Sequence, residues 1–307
     1  MAAKTVQAVI NGQTYSLSYN STSGKWEATI TAPSITSYNV NADHYYPVTV
    51  IATDDAGNTT TKNDSDATLG NSLKLYVKER VKPTITITAP TSGARVTSAT
   101  PTISFQLRDE GNGSGVKISS LTLKIDGGTA IGNTASGMTV NSVPGGYDCS
   151  YVPQTPLTEG SHTITIDVQD NDGNAATQAV VTFTVDITAP ALNVSAPTEG
   201  LITNNASVTV SGTTTDVTST PVTITIKVNG VDQGPVTVTS GSFSKTVTLN
   251  EGSNTIEVKA TDASGLTTTV TRHVTLDTVA PTISAVTISP NPVDAGQTLV
   301  ITVTVSD

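Results

Sequence analysis

Leu157-Thr158-Glu159-Gly160-Ser161-His162-Thr163-Ile164-Thr165-Ile166-Asp167-Val168-Gln169-Asp170 returns 92 residues later as Leu249-Asn250-Glu251-Gly252-Ser253-Asn254-Thr255-Ile256-Glu257-Val258-Lys259-Ala260-Thr261-Asp262. In both stretches apolar and polar residues alternate, the period of a strand with one buried face. Each ends on an aspartate that opens a turn. A shorter third copy, Val50-Ile51-Ala52-Thr53-Asp54, runs on into Asp55-Ala56-Gly57-Asn58. Repetition at a fixed spacing organises a chain more firmly than any local propensity. A second marker sets the unit boundaries. Pro83 and Pro90 match Pro190 and Pro197 at an offset of 107, with Gly93 matching Gly200, and Pro281 follows Pro190 by 91. Units of this length are the size of a small β-sandwich.

Inside a unit the alternation is broken only by turns. Leu121, Leu123 and Ile125 lead to Asp126-Gly127; Ile224, Ile226 and Val228 lead to Asn229-Gly230. Short alternating strands closed by Asn-Gly, Asp-Gly or Asp-x-x-Gly predict antiparallel sheets, and no segment carries a helical period. The sequence therefore predicts an all-β chain of tandem immunoglobulin-like antiparallel sandwiches. The expected parts are an aromatic-rich partial or variant domain over 1–81, full repeats over 82–189 and 190–280, and two opening strands of a further repeat over 281–307.

Linkers and turns also carry a resemblance. Val185-Asp186-Ile187-Thr188-Ala189-Pro190, Leu276-Asp277-Thr278-Val279-Ala280-Pro281, Ala52-Thr53-Asp54-Asp55-Ala56-Gly57-Asn58 and Gly146-Tyr147-Asp148-Cys149-Ser150-Tyr151-Val152-Pro153 resemble bacterial immunoglobulin-like repeats. Such repeats build the stalks of giant adhesins and occur in phage tail and baseplate-region proteins. The resemblance covers 83–280 well, the first 80 residues in part and the last 27 as a partial unit. It implies a repeat type, while a role has to come from particular residues.

Composition narrows the classes. The net charge of -10 speaks against a nucleic-acid backbone as partner. A lone cysteine, Cys149, permits neither an intrachain disulfide nor a cysteine zinc site. His44, His162 and His273 are too far apart to share a short metal or catalytic motif. No apolar run reaches membrane-spanning length, and the first residues lack the apolar core of a secretion signal. The Gly-rich run Asp109-Glu110-Gly111-Asn112-Gly113-Ser114-Gly115 lies between strands, so it reads as a loop and not as a phosphate cradle. Cys149 alternates with Tyr147 and Tyr151, which predicts a buried thiol. With no nucleophile and base set together by motif, catalysis is not expected.

Carboxylates recur with the repeat. Glu79, Asp186 and Asp277 lie four residues before the opening prolines, and Asp109, Asp216 and Asp307 end the second strand of successive units. Asp170 and Asp262 mark the turn between the last two strands. In an immunoglobulin-type sandwich those loops share the pole at which the chain enters. This predicts one cluster of Asp186, Asp216 and Asp262 and another of Glu79, Asp109 and Asp170, joined by Asp172. Facing carboxylates repel unless a cation or proton intervenes. The resemblance implies calcium, which accepts six to eight oxygens and stiffens junctions in stalks of this kind. Aspartate also caps turns without any metal, but a linker position needs no turn residue.

The two ends read differently from the middle. Val9-Ile10-Asn11-Gly12 matches Lys227-Val228-Asn229-Gly230 in mid-unit, so the first domain lacks two opening strands, while Ile283–Ile288 and Thr298–Val305 read as two opening strands alone. A cut within a fourth repeat, or a first domain with its own five-stranded form, accounts for this. Donation of the final strands to another chain is the sharper alternative. Up to residue 82 seven basic residues balance seven acidic ones, and beyond it eight face eighteen. Six of eight tyrosines and the single tryptophan also lie in the first domain. Tyr15, Tyr19 and Trp26 pattern as core, while Tyr38, His44, Tyr45 and Tyr46 fall in or beside a loop and are the candidate contacts for a partner or glycan.

The expected function is structural and binding. The first setting is a component of a phage tail or tail-like particle, near the baseplate or fibre-like, released by lysis and so exposed outside the cell. The second is a stalk segment of a secreted adhesin on the bacterial surface, and the third a carbohydrate-binding accessory module. Expected partners are other subunits of a particle or filament, or a host-surface glycan or protein, in an oligomeric assembly without nucleic acid or membrane insertion.

Overall fold

The computed structural model describes residues 3–307. Among the described residues strands and turns predominate, with three short 3-10 turns (Ser37–Asn39, Gly70–Leu73, Ile118–Ser120) as the helical elements. Among the described residues no helix is long and apolar enough to cross a membrane. The chain divides into two compact units, one reaching to Val185 and the other spanning Asp186–Asp307.

The first unit holds two domains. The N-terminal one is built on β1 (Ala3–Ile10), β2 (Gln13–Asn20), β3 (Lys25–Glu27), β4 (Tyr46–Asp54), β5 (Thr59–Lys62) and β6 (Lys74–Leu75). They form a single sheet in the order β3-β2-β1-β4-β5, with β6 on β4. Asn11-Gly12 turns β1 into β2 with both residues at positive φ, the conformation that suits Asn-Gly and matches strand twist. The domain thus has six strands in one sheet, one more than the five-stranded form weighed from the sequence.

The second domain contains β7 (Thr84–Ala89), β8 (Arg95–Val96), β9 (Ile103–Arg108), β10 (Thr122–Ile125), β11 (Met138–Val143), β12 (Gly146–Tyr151), β13 (Gly160–Asp167) and β14 (Ala179–Val185). Two sheets, β11-β12-β9-β7 and β10-β13-β14-β8, enclose a core of Ile103, Phe105, Leu107, Leu123, Ile164, Ile166 and Phe183. The repeated Pro90 and Gly93 explain the opening strand's behaviour. Proline supplies no ladder donor, so pairing with β9 stops, and the chain crosses to run parallel with β14 as β8.

The second unit repeats this plan with β15 (Ala191–Ala196), β16 (Leu201–Thr203), β17 (Ser207–Thr215), β18 (Thr223–Val228), β19 (Val231–Asp232), β20 (Val238–Thr239), β21 (Ser242–Thr248), β22 (Gly252–Thr261) and β23 (Thr267–Leu276). Its sheets are β15-β17-β21-β20 and β16-β23-β22-β18-β19, around Val210, Ile226, Phe243, Val247, Ile256 and Val258. Residues one apart in sequence face opposite sides of each strand, so the quoted repeats bury Ile164 and Ile166 in one domain as Ile256 and Val258 in the other. Two further strands, β24 (Thr282–Ser289) and β25 (Val300–Ser306), pair with each other and, among the described residues, with no other strand.

Candidate metal centres

Each repeat brings three acidic side chains together at the pole where its chain enters. Glu79, Asp109 and Asp170 each place one carboxylate oxygen within 4.8 Å of the others, and Asp186, Asp216 and Asp262 do the same. Two oxygens on opposite sides of a calcium ion lie about 5 Å apart, so both sets have the span of one ion's shell. Asp170 and Asp186 are fully buried, and Asp262 is nearly so.

Local loop chemistry aims these groups. In the second domain Asp109 Oδ2 accepts the Gly115 amide at 2.7 Å, and Glu79 Oε1 accepts the Ser114 amide. Asp170 closes its own turn by accepting the amide and side-chain nitrogen of Asn174 at 2.8 and 2.7 Å. Asn171 donates to the carbonyls of Ser114 and Gly115, which ties the two loops. In the third domain Asp216 Oδ1 accepts the amides of Thr218 and Ser219, and Asp262 Oδ1 those of Ser264 and Leu266. Ser219 and Ser264 hydroxyls, 2.6 Å apart, join these loops. Turn capping and clustering are thus compatible, because most of these carboxylates cap with one oxygen and turn the other inward.

Those inward oxygens are the test of fit for a cation. Glu79 Oε2, Asp109 Oδ1 and Asp262 Oδ2 are buried, and no donor faces them save a proton on Glu110, which reaches the Glu79 and Asp109 carboxylates. A buried acceptor without a donor is costly, and anionic neighbours raise the cost. A hard divalent cation with all-oxygen ligands would relieve both, which suits calcium and not zinc. Gly113 completes the first cradle: a Cβ there would stand 2.7 Å from Asp109 Oδ2 and 2.9 Å from Glu79 Oε2. Without a cation the first cluster is eased by a proton. A hydrogen bond with Glu79, followed by burial and Asp109, pushes Glu110 up to about 7, while Glu79, opposed by burial, is held below the usual range by Glu110 and Ser114. The third domain has Val217 after Asp216, with no carboxyl to play that part.

Several expected residues lie elsewhere. The Asp172 carboxylate is taken by the Thr36 hydroxyl at 2.5 Å and the Glu79 amide at 3.1 Å, so it ties the first domain to the second instead of joining the cluster. Asp277 and Asp307 are exposed and enter no cluster among the described residues; Asp277 caps the Val279 amide. Tyr45 and Tyr46 are buried, which removes them as a glycan surface. The Tyr45 hydroxyl donates to Asp64 at 2.7 Å, with Lys74 over the ring, and the Tyr46 hydroxyl donates to the Ile35 carbonyl. Tyr38 and His44 stack on each other with centroids 3.9 Å apart, each covering one face of the other ring. The reading of the Gly-rich run as a plain loop missed its amides, which orient Glu79 and Asp109; the recurrence of Asp109 at its start was the available signal.

Residues 83–166 match the family model of a bacterial Ig domain, and residues 190–278 that of glucodextranase, domain B. No curated protein matches the chain. Solved structures similar to it include fibronectin(III)-like modules of CbhA from Clostridium thermocellum, at 15% identity over 63% of this chain and 94% of that one, with a TM-score of 0.37. A 1.5-MDa bacterial ice-binding adhesin, described for its retention at the host cell surface, matches at 21% identity over 90% and 88%, with a TM-score of 0.31. A tetra-tandem repeat in the extending region of a large adhesion protein matches at 19% over 99% and 81%, with a TM-score of 0.35. Strand topology, not these likenesses, gives two tandem immunoglobulin-like β-sandwiches over 84–185 and 191–276, and the bacterial Ig domain model matches within the first of them.

Proposed function

We propose that the chain is a non-catalytic stalk segment of a bacterial surface adhesin, working outside the cell, whose repeats are stiffened at their entry poles by calcium. One observation carries this: a cradle of three carboxylates, each with an oxygen within 4.8 Å of the others, recurs at the same pole in two successive repeats. Glu79, Asp109 and Asp170 would hold one ion, and Asp186, Asp216 and Asp262 another. In each set the ion would bind the linker carboxylate and two loop carboxylates together, fixing the linker against the domain that follows it. A tail-fibre role in a phage particle would use the same rods, and an accessory module for glycan binding would use the same fold. The burial of Tyr45 and Tyr46 weighs against the latter.

Calorimetry of the full chain in calcium and in chelator tests the reading, alongside Asp109→Asn and Asp262→Asn. Calcium should raise the melting of the second and third domains, and each variant should abolish the gain in its own domain only. Sites of extracellular modules bind with dissociation constants of roughly 0.1–1 mM, so the titration extends to millimolar calcium. Melting indifferent to calcium would sink the metal and leave an unstiffened spacer.

A further inference from the structure

The 36–39 turn belongs to the first domain but is anchored outside it. Ser37 exchanges hydrogen bonds with Val77: its amide donates to the Val77 carbonyl at 2.8 Å, and its hydroxyl accepts the Val77 amide at 3.0 Å. That clamps the turn to the linker two residues before Glu79. On its other side Asn39 Nδ2 donates to the Gly113 carbonyl at 2.8 Å, and the Thr36 hydroxyl donates to Asp172. Thr36, Ser37 and Ser114 are each 3% exposed, so the junction is packed and dry. Polar groups this buried are costly to leave unpaired, which holds the junction to one geometry.

The groups on the receiving side are those that build the second domain's cradle. Gly113 packs against Asp109 and Glu79, and the next amide, that of Ser114, donates to Glu79 Oε1. The Ser114 hydroxyl accepts the Asp172 amide at 3.0 Å. Asp172 Oδ2 accepts both the Thr36 hydroxyl and the Glu79 amide, so a single oxygen positions the turn and the linker together. Lys78 Nζ reaches the Asp172 carbonyl at 3.4 Å. The third domain is arranged differently. Ser264 stands where the 92-residue offset puts Asp172, and its hydroxyl meets Ser219 of the same domain, so that cradle is braced from within.

We propose that the first domain is a positioning partner of the second domain's metal centre: docking of the 36–39 turn and ion binding at Glu79, Asp109 and Asp170 favour each other. This rests on the calcium reading and adds to it a dependence on the preceding domain. With the turn undocked, Gly113 and the linker lose restraints that hold the three carboxylates within 4.8 Å, and their mutual repulsion opens the cradle. With the turn docked, the cradle is already ordered when the ion arrives, which strengthens binding. Linkage makes the effect reciprocal, so the factor that docking adds to ion affinity is the factor that the ion adds to docking.

Calcium titration of the full chain, followed by calorimetry of the second and third domains and by amide exchange in the first, tests this. Asn39→Ala removes an exposed side chain, Thr36→Val keeps the shape of its side chain without the donor, and Thr36→Ser keeps the donor. Asn39→Ala with Thr36→Val should raise the calcium needed by the second domain about five- to tenfold and leave the third domain's unchanged. Thr36→Ser should behave as the wild type. In the wild-type chain calcium should slow exchange of the Ser37 and Val77 amides, which report docking independently of the melting of the metal centre. A turn with a structural role alone would lower melting in chelator and leave the calcium requirement as it was. A calcium response of the second domain unaltered by the double variant, or exchange at Ser37 and Val77 indifferent to calcium, would overturn the coupling and leave the calcium reading standing. No calcium response in either domain of the wild type would remove the metal and the coupling together.

Discussion

His162 and Asn254 hold the same place in the two repeats, and each works with the turn residue opposite. In the third domain Asn254 donates to the carbonyls of Asn250 and Gly252 and accepts from Asn229 at 2.9 Å. In the second domain both His162 ring nitrogens face acceptors, Asp126 Oδ2 and the Thr158 carbonyl, each at 2.7 Å. Both bonds are made only by the doubly protonated ring. Burial opposes that charge, but the bonds to Thr158 and Asp126 outweigh it and hold His162 above its ordinary 6.5. A histidine raised on folding stabilises fully below pH 6.5, and the stabilisation is lost as pH rises through the folded value. Melting of the second domain should therefore fall across neutral pH. His162→Asn with Asp126→Asn, which installs the third domain's pair, should flatten that slope; a slope unchanged in calorimetry would refute the account. His162→Ala alone, leaving acceptors unpaired, should cost about 1–3 kcal/mol. Cys149 behaves in the opposite sense: burial, then Asp148, pushes its thiol up to about 11 against the pull of Arg108. It should resist a disulfide reagent at neutral pH until the second domain unfolds, which a reaction rate proportional to the unfolded fraction would demonstrate.

Loops and strands, one scale up, decide what sequence could and could not reveal. The two clusters were legible because each member sits at a repeat-fixed offset, and the sandwich brings those offsets to one pole. Asp172 lies two residues beyond Asp170 in the same turn and carries the same charge, yet Thr36, 136 residues away, claims it. Periodicity has no means of seeing such a contact. Tyr45 and Tyr46 read as loop aromatics, but both are buried, with Tyr76 edge-on to the Tyr45 ring, Asp64 on its hydroxyl and the Ile35 carbonyl on that of Tyr46. The cradle itself offers a prediction at this scale. Gly113→Ala places a methyl against Asp109 and Glu79, with no backbone strain to confuse the outcome. The calcium gain of the second domain should shrink or vanish while that of the third is kept, read from the two calorimetric transitions. Loss of both gains, or of neither, would dissociate Gly113 from the cradle. Asp172→Ala should loosen the tie between first and second domains by about 1–3 kcal/mol, since it leaves the Thr36 hydroxyl and Glu79 amide without their acceptor. Faster amide exchange at Glu79 would report it.

For the molecule as a whole, the decisive feature is that its cores do not share residues. The second and third domains each bury a continuous apolar cluster between two sheets, whereas the first has one sheet and a half-covered face. Stability follows buried apolar area, so the first domain should be the weakest part in the isolated chain. Trp26 makes this measurable, because the single tryptophan lies on β3 and its fluorescence reports the first domain alone. On heating or in urea, the fluorescence midpoint should precede the transitions of the other two domains. Ile166→Ala should lower only the second domain's transition and Ile256→Ala only the third's. Each removes a fully buried side chain at a cost of about 2–5 kcal/mol. Neither should move the tryptophan midpoint by a comparable amount. A single transition shared by all probes and shifted by either substitution would mean that the three domains unfold as one. The half-covered sheet would then draw its stability from its neighbours and not from its own packing.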